Sequence, residues 1–203
     1  MSIAGADLPP AILWRRRIAA LVLAGLVYGV DQWVKRQVAG PWGVAESSHH
    51  AGRMGVPDPG VSLGLSFFKL TWTENYGVSL GMLTAQSVEM RYMLVALTSL
   101  IALVVFVWMM REKARLDLGA LALVLGGALG NIHDRAWRGY VIDYADFHIG
   151  EWRPFLIFNI ADAAITIGVL IILARSLFSR EKPQPTELGP ADADKPADTA
   201  PES

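Results

Sequence analysis

Four apolar runs limit what this chain can fold into. They are IAALVLAGLVYGVDQWV (18–34), YMLVALTSLIALVVFVWMM (92–110), LGALALVLGGALGNI (118–132) and PFLIFNIADAAITIGVLIILA (154–174). A helix needs roughly 20 apolar residues to cross a bilayer. The third run is short but can extend toward Trp137. Helices that are apolar all round suit lipid better than a water-facing surface. The sequence predicts an all-α membrane protein with four transmembrane helices and a small β-structured segment at the outer face.

The chain has 203 residues, of which 53% are hydrophobic and 18% charged, and a net charge of −1. Its longest basic run, Arg15 to Arg17, is too short for a nucleic-acid-binding face, so no nucleic acid partner is expected. Cysteine is absent, which excludes disulfides, thiolate metal sites and cysteine nucleophiles. It also means that the chain is not itself a lipoprotein precursor. The arginine triplet and apolar run at 18–34 resemble a signal peptide, but no A-x-A site follows and the run continues into DQWVKRQV, so an uncleaved first span is expected. Three parts follow: a segment at 1–14, a four-span domain at 15–180 and a tail at 181–203. The tail, EKPQPTELGPADADKPADTAPES, is proline-rich, acidic and expected to be disordered.

Basic residues orient the spans. Arg15 to Arg17 precede the first, Arg111, Lys113 and Arg115 join the second to the third, and Arg175, Arg180 and Lys182 follow the fourth. With four spans these clusters share one side, which predicts cytoplasmic termini. The opposite, outer side then receives Asp31 and Lys35 from span one, Asn131, Asp134 and Arg135 from span three, and Asn159 and Asp162 from span four. The unusual polar residues of the spans converge there.

The outer segment, roughly 37–91, begins with the Gly-, Pro- and Ser-rich stretch GPWGVAESSHHAGRMGVPDPG, which reads as a loop. SFFKLTWTENYGVSLGML then predicts short strands on the membrane surface. YVIDYADFH, between spans three and four, reads as a short strand or tight loop that lets Asp143 reach Asp162, with Asp146 solvated. The spacings Gly25–Gly29 and Gly126–Gly130 predict close helix packing.

A carboxylate at a helix centre costs roughly 2.5 to 3.5 kcal/mol on insertion scales, so Asp162, placed within the fourth apolar run, needs a reason. It could form a structural pair with Asn159, three residues earlier, or belong to a site. Asp134 and Arg135 could equally anchor the end of span three. Two carboxylates held close share a proton, so one can activate water while the other polarises a carbonyl, as in an aspartic protease. His49, His50, His133 and His148 show no metal-ligand spacing, and neither a metal nor another cofactor is expected. A small proton-coupled transporter or a structural membrane subunit are the alternatives. Against a transporter, the cytoplasmic halves of spans two and three are nearly free of polar residues, and only the echo NIHD (131–134) and NIAD (159–162) hints at a repeat.

Five blocks carry a family resemblance: DQWVK (31–35), NYGVSLG (75–81), GGALGNIHDR (126–135), GYVIDYADFH (139–148) and FNIAD (158–162). In this order they resemble the lipoprotein signal peptidases, signal peptidase II, from about residue 15 to about 180. The resemblance implies an aspartyl endopeptidase of the bacterial cytoplasmic membrane; a monomer in contact with membrane lipids is expected. It would cut the signal peptide from a diacylglyceryl-modified prolipoprotein before the lipidated cysteine. It implies Asp143 and Asp162 as the catalytic pair, supported by Asn131, Asp134, Arg135 and Asn159, with Asp31, Lys35, Asn75 and Gly77 lining the pocket. The family's N-x-G-A-A-F is NYGVSL here, so Val78, Ser79 and Leu80 imply a different pocket rim.

Overall fold

The computed structural model describes residues 8–54, 59–77, 88–150 and 152–178. In chain order the elements are α1 (Pro10–Ala39), α2 (Val44–Met54), β1 (Val61–Leu65), β2 (Phe68–Asn75), α3 (Val88–Arg111), α4 (Arg115–Trp137), β3 (Val141–Phe147) and α5 (Ile160–Phe178). Of these, α1, α3, α4 and α5 are long and apolar enough to cross a membrane. The tail at 181–203 and residues 78–81 of the NYGVSLG block lie outside the described residues.

The centre of the bundle is α4, which packs against α1, α3 and α5. Half of its apolar window is buried, against 11% for α3, whose Leu97, Leu100, Leu103 and Val104 point outward. Small residues allow the close approach. A Cβ on Gly126 would lie 2.5 Å from the Ala24 carbonyl of α1, and one on Gly127 would strike the Ala161 carbonyl of α5. Gly130 faces the Asp31 carboxylate, at 2.6 Å from the same hypothetical atom. The Gly25–Gly29 pair does not pack this way: a Cβ at either position would meet nothing within 4 Å. That expectation is corrected, because this face of α1 is turned away from α4.

At about 1.5 Å per residue the 30-residue α1 is roughly 45 Å long, more than the roughly 30 Å hydrocarbon layer requires. Its last turns therefore project, and Val34 and Val38 join Val44, Leu70, Ile142, Tyr144 and Ala145 in a second core beneath the sheet. The sheet is antiparallel, in the order β1-β2-β3. An extra residue in β2 between Leu70 and Thr73 bends the ladder beside Asp143, where Thr73 faces Asp143 and Asn75 faces Val141.

Three expectations change. The stretch read as loop after residue 40 contains α2, which buries Val44, Ala45 and Ala51 and packs on β2. Its apolar residues are too few to announce a helix without the sheet they cover. The strands begin earlier than the sequence suggested, at Val61. The fourth helix starts at Ile160 rather than Pro154, because Phe158 is held extended by hydrogen bonds with Tyr144 and Ala145 of β3. Asp162 is thus a first-turn residue and not a mid-span one.

Candidate active site

Strand β3 has β2 on one edge and Phe158 on the other, and six of its seven residues are buried. A strand enclosed in this way is ordinarily apolar, yet it carries Asp143 and Asp146. Each therefore requires partners. Asp146, expected to be solvated, is 1% exposed. Its carboxylate accepts a hydrogen bond from Thr71 Oγ1 at 3.3 Å and pairs with Arg153 at 3.2 Å and Lys69 at 3.9 Å. The enclosing loop after β3 supplies that arginine, which the alternation of the strand alone could not reveal.

Asp143 is 2% exposed and held by two amides. Asn159 Nδ2 donates to Oδ1 at 2.6 Å and Asn75 Nδ2 donates to Oδ2 at 2.9 Å. Asn75 reaches it as a diagonal cross-strand neighbour on the same face. Asn75 also accepts the Gly77 N–H at 2.8 Å, closing a local turn in which Gly77 adopts φ +87°. Burial, and secondarily repulsion from Asp162, push the Asp143 carboxyl up to about 6, although the Asn75 and Asn159 hydrogen bonds and Lys35 oppose the rise.

Asp162 lies at the start of α5. Asn159 is the helix cap, its Oδ1 accepting the Asp162 N–H at 2.9 Å. A second cap comes from another helix: Asp31 Oδ1 of α1 accepts the Ala161 N–H at 3.0 Å. The Asp162 side chain accepts a hydrogen bond from Asn131 Nδ2 of α4 at 2.7 Å, and Asn159 Nδ2 lies 3.4 Å from Asn131 Oδ1. Asn131 and Asn159 thereby link the two carboxylates across α4, β3 and α5.

Beneath them is a buried ionic layer. Lys35 Nζ pairs with Asp31 at 2.9 Å and Asp134 at 2.7 Å, and donates to Asn131 Oδ1 at 3.2 Å. All three charged side chains are fully buried. Gln32 Nε2 bridges Asp31, the Gly130 carbonyl and Asp134. Arg138, the residue that caps the end of α4, pairs with Asp134. Arg135 is within Coulombic reach of Asp162, Asp143 and Asp134, and Gly77 sits against its guanidinium.

The chain is similar to known proteins. The family profile described as Signal peptidase (SPase) II matches residues 23–178. The chain belongs to the signal peptidase II family. A lipoprotein signal peptidase of Rhizorhabdus wittichii is 49% identical over 165 residues, covering 81% of this chain and 89% of that protein. One of Sphingopyxis alaskensis is 58% identical over 117 residues, 58% of this chain and 68% of that protein. A solved structure of a bacterial membrane enzyme is similar with TM-score 0.61 and 28% identity, over 80% of this chain and 94% of that one. The signal peptidase II assignment makes the chain a peptidase and a multi-pass membrane protein.

In this signal peptidase II chain, all ten residues singled out from the sequence lie at one end of the bundle. Asp31, Lys35, Asn75, Asn131, Asp134, Asn159, Asp143 and Asp162 form one hydrogen-bonded network. Gly77 and Arg135 border it. Gln32, Thr71 and Arg138 were missed. Gln32 had a signal: it is an amide in an apolar run, flanked by Asp31 and three positions before Lys35. Among the described residues, no group of three or more His, Cys, Asp and Glu side chains is placed to hold a metal ion.

Proposed function

We propose that Asp143 and Asp162 are the catalytic pair, and that they cleave the signal peptide of a diacylglyceryl-modified prolipoprotein before its lipidated cysteine. The observation that carries this is the Asn131–Asn159 link, which gives each carboxylate an amide partner at the same end of the bundle. The two share one proton. The ionised member takes a proton from water as its oxygen attacks the scissile carbonyl, and the protonated member gives its proton to the carbonyl oxygen. Collapse of the tetrahedral intermediate transfers a proton to the departing amine. Lys35 and the asparagines hold the geometry beforehand, in a dry site where such contacts are strong.

The arginine clusters support cytoplasmic termini and a site at the outer face, reached by a substrate whose acyl chains stay in the bilayer. One copy of the chain supplies both carboxylates and the amides that hold them, so a monomer suffices for the reaction. The test is cleavage of a diacylglyceryl-modified prolipoprotein by the purified protein in detergent. Wild type should cut, whereas folded Asp143→Asn and Asp162→Asn should not. Near-normal activity in either variant would remove that residue from the pair.

A further inference from the structure

Away from this site, at the N-terminal ends of α1 and α4, the two helices enclose an open cavity of about 590 Å³. One wall is apolar, formed by Ile12, Ala19 and Leu23 of α1, while Arg15, Arg16 and Arg115 stand around it. No carboxylate lines it among the described residues. The acids of this region are engaged elsewhere. Glu112 accepts the N–H groups of Lys113 and Ala114, and Asp117 pairs with Arg175 at 3.3 Å. Arg16 is fixed in place by donating from Nη1 to the Lys113 carbonyl at 2.8 Å, and its buried Nε has no hydrogen-bond partner. Three cations thus face a groove in which the described residues offer them no carboxylate.

Asp31 lies sixteen positions after Arg15 on α1, so about 24 Å separate this groove from the ionic layer under the aspartates. It is therefore not part of the peptidase site. A free phosphate would meet the arginines and leave the apolar wall empty, and a zwitterionic lipid would bring its own cation against theirs. An anionic glycerophospholipid satisfies both surfaces.

We propose that this groove binds one anionic glycerophospholipid, its phosphate held by Arg15, Arg16 and Arg115 and an acyl chain lying along Ile12, Ala19 and Leu23. Bound there, it ties α1 to α4, the helices whose other ends carry Lys35 and Asn131.

The test uses the full-length protein in detergent, with native mass spectrometry and thermal unfolding as readouts. Dioleoylphosphatidylglycerol should be retained roughly tenfold better than dioleoylphosphatidylcholine and should raise the unfolding temperature, as expected for several cations acting on one anionic headgroup. Arg15→Gln, Arg16→Gln and Arg115→Gln together should abolish that preference and the temperature shift while leaving peptidase activity in detergent unchanged. Arg111→Gln, which removes a cation outside the groove, should change neither. Glycerol 3-phosphate, which has the headgroup chemistry without the chains, should not compete. Equal retention of the two lipids, survival of the preference in the triple variant, an equal loss in Arg111→Gln or full competition by glycerol 3-phosphate would each overturn the proposal.

Discussion

Asn159 serves Asp162 through its carbonyl oxygen, which accepts the Asp162 N–H at 2.9 Å, while its amide nitrogen is 2.6 Å from the other aspartate, Asp143. One side chain therefore starts helix α5 and sets the spacing of two carboxylates carried by different elements. Replacing it separates the two duties. Asn159→Ala should lose about 1 kcal/mol of stability with the cap and activity by roughly a hundredfold or more. Asn159→Asp keeps a capping oxygen but loses the donor to Asp143 and adds a like charge, so its activity should fall as far with less effect on the helix. Thermal unfolding and cleavage rates measured on both variants separate the cap from the carboxylate contact.

The raised carboxyl of Asp143 has a thermodynamic consequence. Its ordinary value of 3.8 rises to about 6 in the folded chain, so the folded state holds the proton more tightly than the unfolded state. Stability from this group is complete below about pH 4 and is lost as pH rises through about 6, with a ceiling of about 3 kcal/mol. Asp143→Asn has no such slope. Between pH 4 and pH 7, unfolding in detergent should show wild type losing stability relative to this variant. Parallel curves would contradict the raised value. If the pair shares a proton in catalysis, cleavage should follow a bell-shaped pH profile, with the alkaline limb at or above about pH 6 because substrate binding excludes more water.

Lys35 neutralises two buried carboxylates, Asp31 and Asp134. Lys35→Met should destabilise the protein by about 3 to 5 kcal/mol, the usual result of leaving buried charges unpaired. Asp31→Asn in the same chain should restore part of that loss by removing one of the orphaned charges. A double variant no more stable than Lys35→Met would show that the ionic layer is not what Lys35 supports. The readout is the unfolding temperature in detergent.

Glycines separate packing from sequence spacing. Gly127→Ala drives a methyl group against the Ala161 carbonyl, which is backbone and cannot rotate away. It should cost about 1 to 3 kcal/mol and reduce cleavage by displacing the α5 start that carries Asp162. Gly25→Ala and Gly29→Ala meet open space and should be neutral or slightly stabilising. Comparable losses at all three positions would place the α1 face against a neighbour.

The spans could be read from the chain because apolar length has few uses other than crossing lipid. The convergence of Asp31, Asn131 and Asp162 followed from counting crossings, since each span reverses direction. The family blocks added the residues that surround them. What remained hidden depended on contacts between distant segments. Asp146 looks solvated until Arg153 and Thr71 close over it. Phe158 looks like part of a span until β3 takes its backbone hydrogen bonds, which delays α5 to Ile160 and turns Asn159 into a cap. The weak apolar pattern of 44–54 becomes a helix only with β2 to cover. The sequence by itself determined which residues are apolar enough for lipid and which polar groups share an end. Only tertiary structure decided where each helix begins and which buried charges are paired, because hydrogen bonds and ion pairs depend on partners many residues away.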